Sequence, residues 1–539
     1  MSDTSSEPAP VNRPITAAVF ASGALLLGVE IAASRVMAPY FGSSLYVWGS
    51  LIGVVLAGLA AGYAIGGRVA DRSPKPSLLV AVLIVGATLV ALIPVLDEPI
   101  LRVILAWDPG PRASPFLAAV ALFGPMSVVL AAVTPIAVRL RTQQLANLGR
   151  TAGNLFSVST AGSIAGCFLT AFWLVPTFGT QQLLAYSAAA LLGVTTLVAI
   201  SQKLLRWSYV GLALTLGVSV LGIDLAPATG GKLSSFAAKN WSPIYRLRNQ
   251  KSRDSFVPDN LRIRYQKDTQ YHHLLVAEDQ LGVRYMRFDN LFQSAWDPKD
   301  PYRTIFAYTD LFHLGRAYNP GAKRMLLIGL GGGSAAKRLW HDFPDATIHT
   351  VELDPEVVKV ARQWFGFPNN KRLPVTAEDG RHYLQRVTEK YDVILVDAFF
   401  SDGIPFHLAT KEFFELVRKR LNPGGVVVMN SIGSLSGPGS KLFRSVMRTQ
   451  RTVFPSVTVH PLIESADETD ASERNLEIVA MLKPLPSKEQ LRAEWVAERP
   501  ASAPTLTKAI SDRYDKVIPS DDVPTLSDDF APTDAILLN

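Results

Sequence analysis

Apolar residues run almost unbroken before about residue 227 and alternate with charges after it, so the chain divides into two regions of different physics. In the first region seven stretches approach or exceed the length needed to cross a hydrocarbon core of ~30 Å: 15–38, 45–67, 77–96, 114–138, 154–176, 182–200 and 207–226. A further apolar piece, "PILRVILAW" at 99–107, is too short to span and reads as interfacial. Residues 1–14 are polar and contain prolines, with no small-residue cleavage site behind a short apolar core, so they read as a tail rather than a cleaved signal.

Past a linker at 228–260 the period changes. "YHHLLVAED" and "VRYMRFDN" alternate apolar and polar residues like paired strands, which predicts a small β unit over 261–300. A helix-like segment follows near Tyr302–Leu314, and strand–helix alternation then fills 301–539. "RMLLIGL", "ATIHTVEL", "YDVILVDAF" and "GGVVVMN" read as strands, and "SAAKRLWHDF", "PEVVKVARQWF" and "TKEFFELVRKRL" as helices. Such alternation implies a parallel sheet with its ligand at the C-terminal strand ends.

Charge sharpens the membrane reading and leaves one conflict. Arg68, Arg72, Lys75, Arg139, Arg141, Arg150, Lys203 and Arg206 fall in the even-numbered loops, which puts those loops and the N-terminus in the cytoplasm. An odd number of spans then leaves the C-terminal half outside, yet Lys232, Lys239, Arg246, Arg248, Lys251 and Arg253 after the last span look cytoplasmic. The two readings conflict. Glu30 and Arg35 lie within the first stretch, where unpaired charges cost several kcal/mol. They read either as braces between helices or as functional groups. "GLAAGYAIGG" and "TAGSIAGC" carry the small residues of close helix packing. The formal charge of +7 is mild for 539 residues, and with no basic–aromatic pattern nucleic acid is not an expected partner; the lipid bilayer is. The single cysteine, Cys167, excludes an intrachain disulfide and a cysteine-based metal site.

The candidate chemistry lies at the ends of the predicted strands. Gly329, Gly331, Gly332 and Gly333 after the first strand let a ligand approach the backbone, and Ser334 opens the next helix. Glu352 ends the following strand about twenty residues on, where an acid accepts from both hydroxyls of a ribose. "AEDGRHYL" puts Asp379 and Gly380 after the next strand, placed to read an adenine amino group. "YDVILVDAFFSDG" adds Asp397 and Asp402. Acids at successive strand ends converge on one crevice.

This ordered set resembles the spermidine synthase (aminopropyltransferase) family over roughly residues 260–460, and with the preceding spans the chain looks like the membrane-fused spermidine synthase-like proteins of bacteria. The resemblance implies a multi-span α-helical membrane domain (15–227) followed by an α/β Rossmann-like, methyltransferase-type domain with a small N-terminal β unit. It implies transfer of an aminopropyl group from decarboxylated S-adenosylmethionine to a small-molecule amine, with release of methylthioadenosine, no metal and no permanently bound cofactor. Carried over residue by residue, Glu352 binds the ribose, Asp379 contacts the adenine, and Asp397 positions and deprotonates the amine with support from Tyr308 in "FAYTDLFHLG". Gln293 in "LFQSAWD" matches the family's glutamine after the β unit.

The departures are specific. The family's glycine loop ends in an acid that binds the donor's amine, and here stands Ser334; its "YQ" pair becomes Tyr271–His272; its compact "DSSDP" loop becomes "DAFFSDGIPFHLAT", with His407. Losing the acid removes a partner for the aminopropyl amine and also a repulsion against the carboxylate of intact S-adenosylmethionine, so the donor stays open. His272 and His273 also read as solvent-facing strand residues, His407 as a loop cap or a substrate contact, Asp402 as a loop end or a substrate contact, and Asp528 and Asp529 in "LSDDFAPTDAI" as a turn. The alternatives to aminopropyl transfer are an S-adenosylmethionine-dependent methyltransferase on the same fold, and a transporter or sensor with a ligand-binding soluble half. A homodimer is compatible with the chain.

Overall fold

The computed structural model describes residues 13–41, 45–107, 109–110, 112–142, 147–178, 180–224, 261–289, 291–399, 403–498, 503–533 and 536. They form two compact units, Met1–Ala228 and Thr229–Asn539. The expected linker and its basic run lie outside the described residues, as does Asp402.

The first unit is helical. Among the described residues, six helices are long and apolar enough to cross a membrane. The seventh expected stretch, 207–226, falls on the 20-residue helix Leu205–Asp224 and ends beyond the described residues. Three helices open the unit, α1 (Arg13–Phe41), α2 (Leu45–Arg72) and α3 (Pro76–Trp107). The stretch 99–107 is not a separate interfacial segment. It continues α3 through Asp97, whose carboxylate takes the Glu98 amide, and through a one-turn Glu98–Arg102 pair. The stretch 114–138 is interrupted at Phe123 and Ala132, giving α4 (Ala113–Leu122), α5 (Gly124–Ala131) and α6 (Val133–Arg141), of which α5 and α6 together make one of the six. Pro125 and Pro135 follow those breaks, and a proline removes an amide and crowds the preceding turn.

Small residues set the spacing between α1 and α7 (Leu148–Leu169). A Cβ added at Gly23 would lie 2.3 Å from the Ser159 carbonyl oxygen, and at Gly162 or Gly166 2.1 Å from those of Phe20 or Ala24. Backbone meets backbone there, as small-residue stripes permit in a membrane.

The second unit begins with an antiparallel sheet, β1 (Arg262–Asp268), β2 (His273–Glu278), β3 (Arg284–Phe288) and β4 (Leu291–Trp296), in that order. The helix-like segment after it is a tighter 3₁₀ turn over Ala307–His313, followed by a short helix, Leu314–Tyr318. The main sheet has β5 (Arg324–Ile328), β6 (Thr347–Glu352), β7 (Val375–Ala377), β8 (Tyr391–Val396), β9 (Leu421–Gly433), β10 (Ser456–Pro461) and β11 (Arg474–Met481). Its order is β10-β11-β9-β8-β5-β6-β7, and β11 runs antiparallel to both neighbours. From β5 the chain goes outward to β6 and β7, then returns to β8 on the other side. That reversal opens a crevice beyond the carboxyl ends of β5 and β8. Apolar cores cover both faces, one around Phe413, Phe443 and Ile478, the other around Phe312, Leu327 and Val479.

Candidate active site

The strand ends deliver the polar groups. After Ile328 the chain runs through Gly329–Gly333 into the helix Ser334–Asp342. Gly329 holds φ at +99°, and a Cβ there would lie 2.1 Å from the carbonyl oxygen of Asp397. Only glycine lets the end of β5 pass so close to the end of β8. Gly333, at φ +76°, closes the loop against the Phe367 ring and stands at the helix start. Gly332 donates its amide to Ser294 Oγ at 2.8 Å, which ties the loop to β4.

Glu352 is buried at the end of β6. Its Oε2 accepts the Leu330 amide at 2.9 Å and its Oε1 the Asp354 amide at 3.0 Å. Burial pushes the carboxyl pKa up, and these backbone N–H groups pull against it.

Asp379 caps the helix Gly380–Arg386, its Oδ1 accepting the His382 amide at 2.9 Å, while its Oδ2 meets His407 Nε2 at 2.9 Å. Burial alone would raise this carboxyl, but the His407 ring and the His382 amide outweigh it and hold it below the ordinary carboxylate range. The His407 carbonyl accepts from Arg381, which pairs with Asp528 at 2.5 Å. The C-terminal acids thus form a turn, closed by Ser527 and Phe530, whose Asp528 braces the His407 side.

Asp397 follows β8 and is half-buried. Its Oδ1 accepts from Asn430 Nδ2 at 3.0 Å, and Tyr308 donates its hydroxyl to Oδ2 across a long 3.5 Å. Burial pushes the carboxyl up to about 6, opposed by the Asn430 and Tyr308 hydrogen bonds. Burial, then Asp397, then Glu477 drive the Tyr308 hydroxyl well above its ordinary value, so Tyr308 stays a proton donor at neutral pH.

These groups line one cleft. Of the residues singled out in the sequence, His272, Gln293, Tyr308, Gly329, Gly331, Glu352, Asp379, Gly380, Asp397 and His407 line it. Gly332, Gly333 and Ser334 do not. Ser334 turns its hydroxyl to the Ala295 carbonyl at 3.2 Å, because β4 packs over the start of the helix. His272 is buried rather than solvent-facing: its ring stacks on Phe288 at 3.7 Å, with Nε2 3.4 Å from Asp354 Oδ2. His273 is half-buried and bonds Asp268 through Nδ1 at 2.5 Å.

With this geometry in place the comparisons can be read. The model of the spermine/spermidine synthase domain matches residues 305–462. Over that stretch the chain is similar to this family. A polyamine aminopropyltransferase of Vibrio vulnificus is 34% identical over 210 residues, 38% of this chain and 65% of the relative. An eEF1A lysine and N-terminal methyltransferase of Bos taurus is 33% identical over 155 residues, 27% of this chain and 22% of that protein. The solved structure of a probable spermidine synthase from Corynebacterium glutamicum is 21% identical with a TM-score of 0.38, over 47% of this chain and 96% of that one. The chain spans 52% to 65% of the length of three polyamine aminopropyltransferases that it resembles.

Two polar groups of the second unit are not singled out by the sequence. Asn430 on β9 orients Asp397 and is itself held by Asn475, which donates to its Oδ1 at 3.0 Å. Glu477 on β11 is fully buried beside them, opposite Asn430 in the ladder. A signal was available: each is a lone polar residue in an apolar strand, "VVVMN" and "NLEIVAM", where burial is costly without a purpose.

Proposed function

We propose that the C-terminal unit moves an aminopropyl group from decarboxylated S-adenosylmethionine to a small amine and releases methylthioadenosine, with the N-terminal helices anchoring it in a bilayer. The observation that carries this reading is Asp397 beside Tyr308, on the same cleft as Glu352 and Asp379. An alkyl amine has a reference pKa near ~10 and must lose a proton before it can attack carbon. With its carboxyl at about 6, Asp397 is ionised at neutral pH and more basic than an exposed carboxylate, which suits proton removal. The ammonium proton passes to Asp397, and the freed lone pair attacks the methylene carbon bonded to the sulfonium. The C–S bond then breaks with its electrons going to sulfur, which leaves as a neutral thioether. At the other end Glu352 takes the ribose hydroxyls on its remaining lone pairs and Asp379 the adenine amino group, over a floor of Gly329 and Gly331. His272 and Gln293 wall the donor, and His407, bonded to Asp379, borders the adenine end rather than the amine.

A second reading, methyl transfer from intact S-adenosylmethionine, is favoured by Ser334 in place of an acid and by the methyltransferase match. Incubating the full chain with each donor and a diamine separates the two. Release of methylthioadenosine supports aminopropyl transfer; release of S-adenosylhomocysteine overturns it. For the side of the membrane we favour the cytoplasm, since donors of the S-adenosylmethionine type are made and kept there. Phosphatase activity from a periplasm-dependent reporter fused after Asn539 would sink that placement.

A further inference from the structure

Glu477 is a costly side chain to bury. It is 0% exposed, and among the described residues neither carboxylate oxygen has a hydrogen-bond partner. Its strand neighbours explain where it points. Leu476, Ile478 and Ala480 join the core on one face of the sheet, while Val479 and Met481 join the other, so Glu477 lies on the second face with Tyr308.

On that face a polar row crosses four adjacent strands. Asp397 ends β8, Asn430 follows on β9, Glu477 stands opposite Asn430 on β11, and His460 stands opposite Glu477 on β10. His460 has no charge to offer. Its Nδ1 donates to the Ala509 carbonyl at 2.8 Å, so Nε2 accepts from the Tyr318 hydroxyl at 2.9 Å, and burial lowers the ring to about 4. Asn430 is occupied on both sides by Asp397 and Asn475. Tyr308, from the 3₁₀ turn, is turned to Asp397. Thus the charged neighbour that Glu477 feels is another acid, Asp397. An isolated carboxylate there is too costly to ionise, so the resting group carries its proton. Two acids in one buried row, pushed apart in proton affinity, mark a division of roles.

Resting on the aminopropyl-transfer reading, we infer that Glu477 is a charge-compensating positioning residue for a cationic acceptor: it releases its proton when an ammonium group docks beside Asp397. The balance is simple. One proton leaves the Glu477 carboxyl for solvent as the ammonium enters, and the row then holds two carboxylates against the incoming charge. When the amine loses its own proton to Asp397, the C–N bond forms and the C–S bond breaks as above, and Glu477 recovers a proton as the product departs. Such a row favours acceptors with more than one positive charge over monoamines, because two carboxylates then face the cation.

The test is calorimetry of 1,4-diaminobutane binding to the detergent-solubilised full chain, in buffers of different ionisation enthalpy at one pH. Wild type is expected to release about one proton more than Glu477→Gln. Equal release by both overturns the inference, even with the diamine bound. Should the diamine not bind wild type at all, the aminopropyl reading falls and this inference with it. A second measurement needs no variant. The infrared carbonyl stretch of a buried protonated carboxyl in wild type is expected to disappear on adding the diamine, and its persistence overturns the inference.

Discussion

Glu352 and Asp397 end the two strands that flank β5, and both face one cleft, yet their surroundings differ. Glu352 is held by backbone amides of the loop it serves. Asp397 has one side-chain amide and a long contact to a tyrosine hydroxyl, and behind it lies Glu477 with nothing at all. Backbone donors neither titrate nor swing away, so they fix a carboxylate in charge and direction. Sparse donors leave lone pairs open and let burial raise the proton affinity. On the proposed reading one acid holds a ligand and the other takes a proton.

Asp397→Asn is the sharpest way to break this contrast, and it carries the largest expected effect. Turnover should fall by roughly 10²–10⁴-fold, the usual worth of a general base, while donor affinity moves less than about threefold. Product release measured by mass, with donor binding by calorimetry, checks both. An equal loss of donor affinity would make Asp397 a binding group like Glu352. Glu352→Gln should do the opposite. Its hydrogen bonds to a charged acceptor are worth about 1.5–3 kcal/mol, so the donor Kd should rise roughly tenfold to a hundredfold. Turnover at saturating donor should change far less, and its collapse there would erase the distinction.

Asp397 also leaves a mark on pH. Asp397 sits at about 6 when folded against an ordinary 3.8, so the folded state binds its proton more tightly than the unfolded chain does. The stability this confers is fully present below the unfolded value and is lost as pH rises through about 6, on the order of 1–3 kcal/mol. Activity runs the other way and should climb through about pH 6 as the base ionises. Asp397→Asn removes the titration. Its thermal midpoint should therefore gain on wild type between pH 5 and pH 8, although the variant is inactive. Parallel midpoints across that range would show that Asp397 is not the buried proton holder.

How much of this was readable in the chain depends on how local each cause is. Apolar period and glycine placement are local, so the helical first half, β5, β6, β8 and the acids at their ends all stood out in the sequence. Continuity of helices was harder: Pro94 and Pro99 sit inside α3, while α4, α5 and α6 are divided near Pro125 and Pro135, and composition does not distinguish those outcomes. The row from Asp397 to His460 was out of reach, because it is assembled by strand order. β11 inserts between β9 and β10 against the chain sequence, and that placement alone puts Glu477 beside Asn430. Ser334 shows the same limit from the other side. The sequence placed it at the donor because it follows three glycines, but Ala295 on β4, 39 residues earlier, takes its hydroxyl.

Ser334 supplies the smallest expected effect and the finest probe of the donor end. Its hydroxyl makes one half-buried bond to the Ala295 carbonyl, so Ser334→Ala should cost about 0.5–1.5 kcal/mol of stability and leave donor affinity within about threefold. Ser334→Asp asks the more pointed question. An acid in the first turn of the helix Ser334–Asp342 is favoured by the helix dipole by about 0.3–1 kcal/mol, so the variant should fold. If the side chain at 334 stays turned to β4, the ratio of affinities for decarboxylated and intact S-adenosylmethionine will not move. A tenfold swing towards the decarboxylated donor would show that position 334 reaches the ligand after all, and that donor choice is set at the loop rather than by Glu352 and the groups around it.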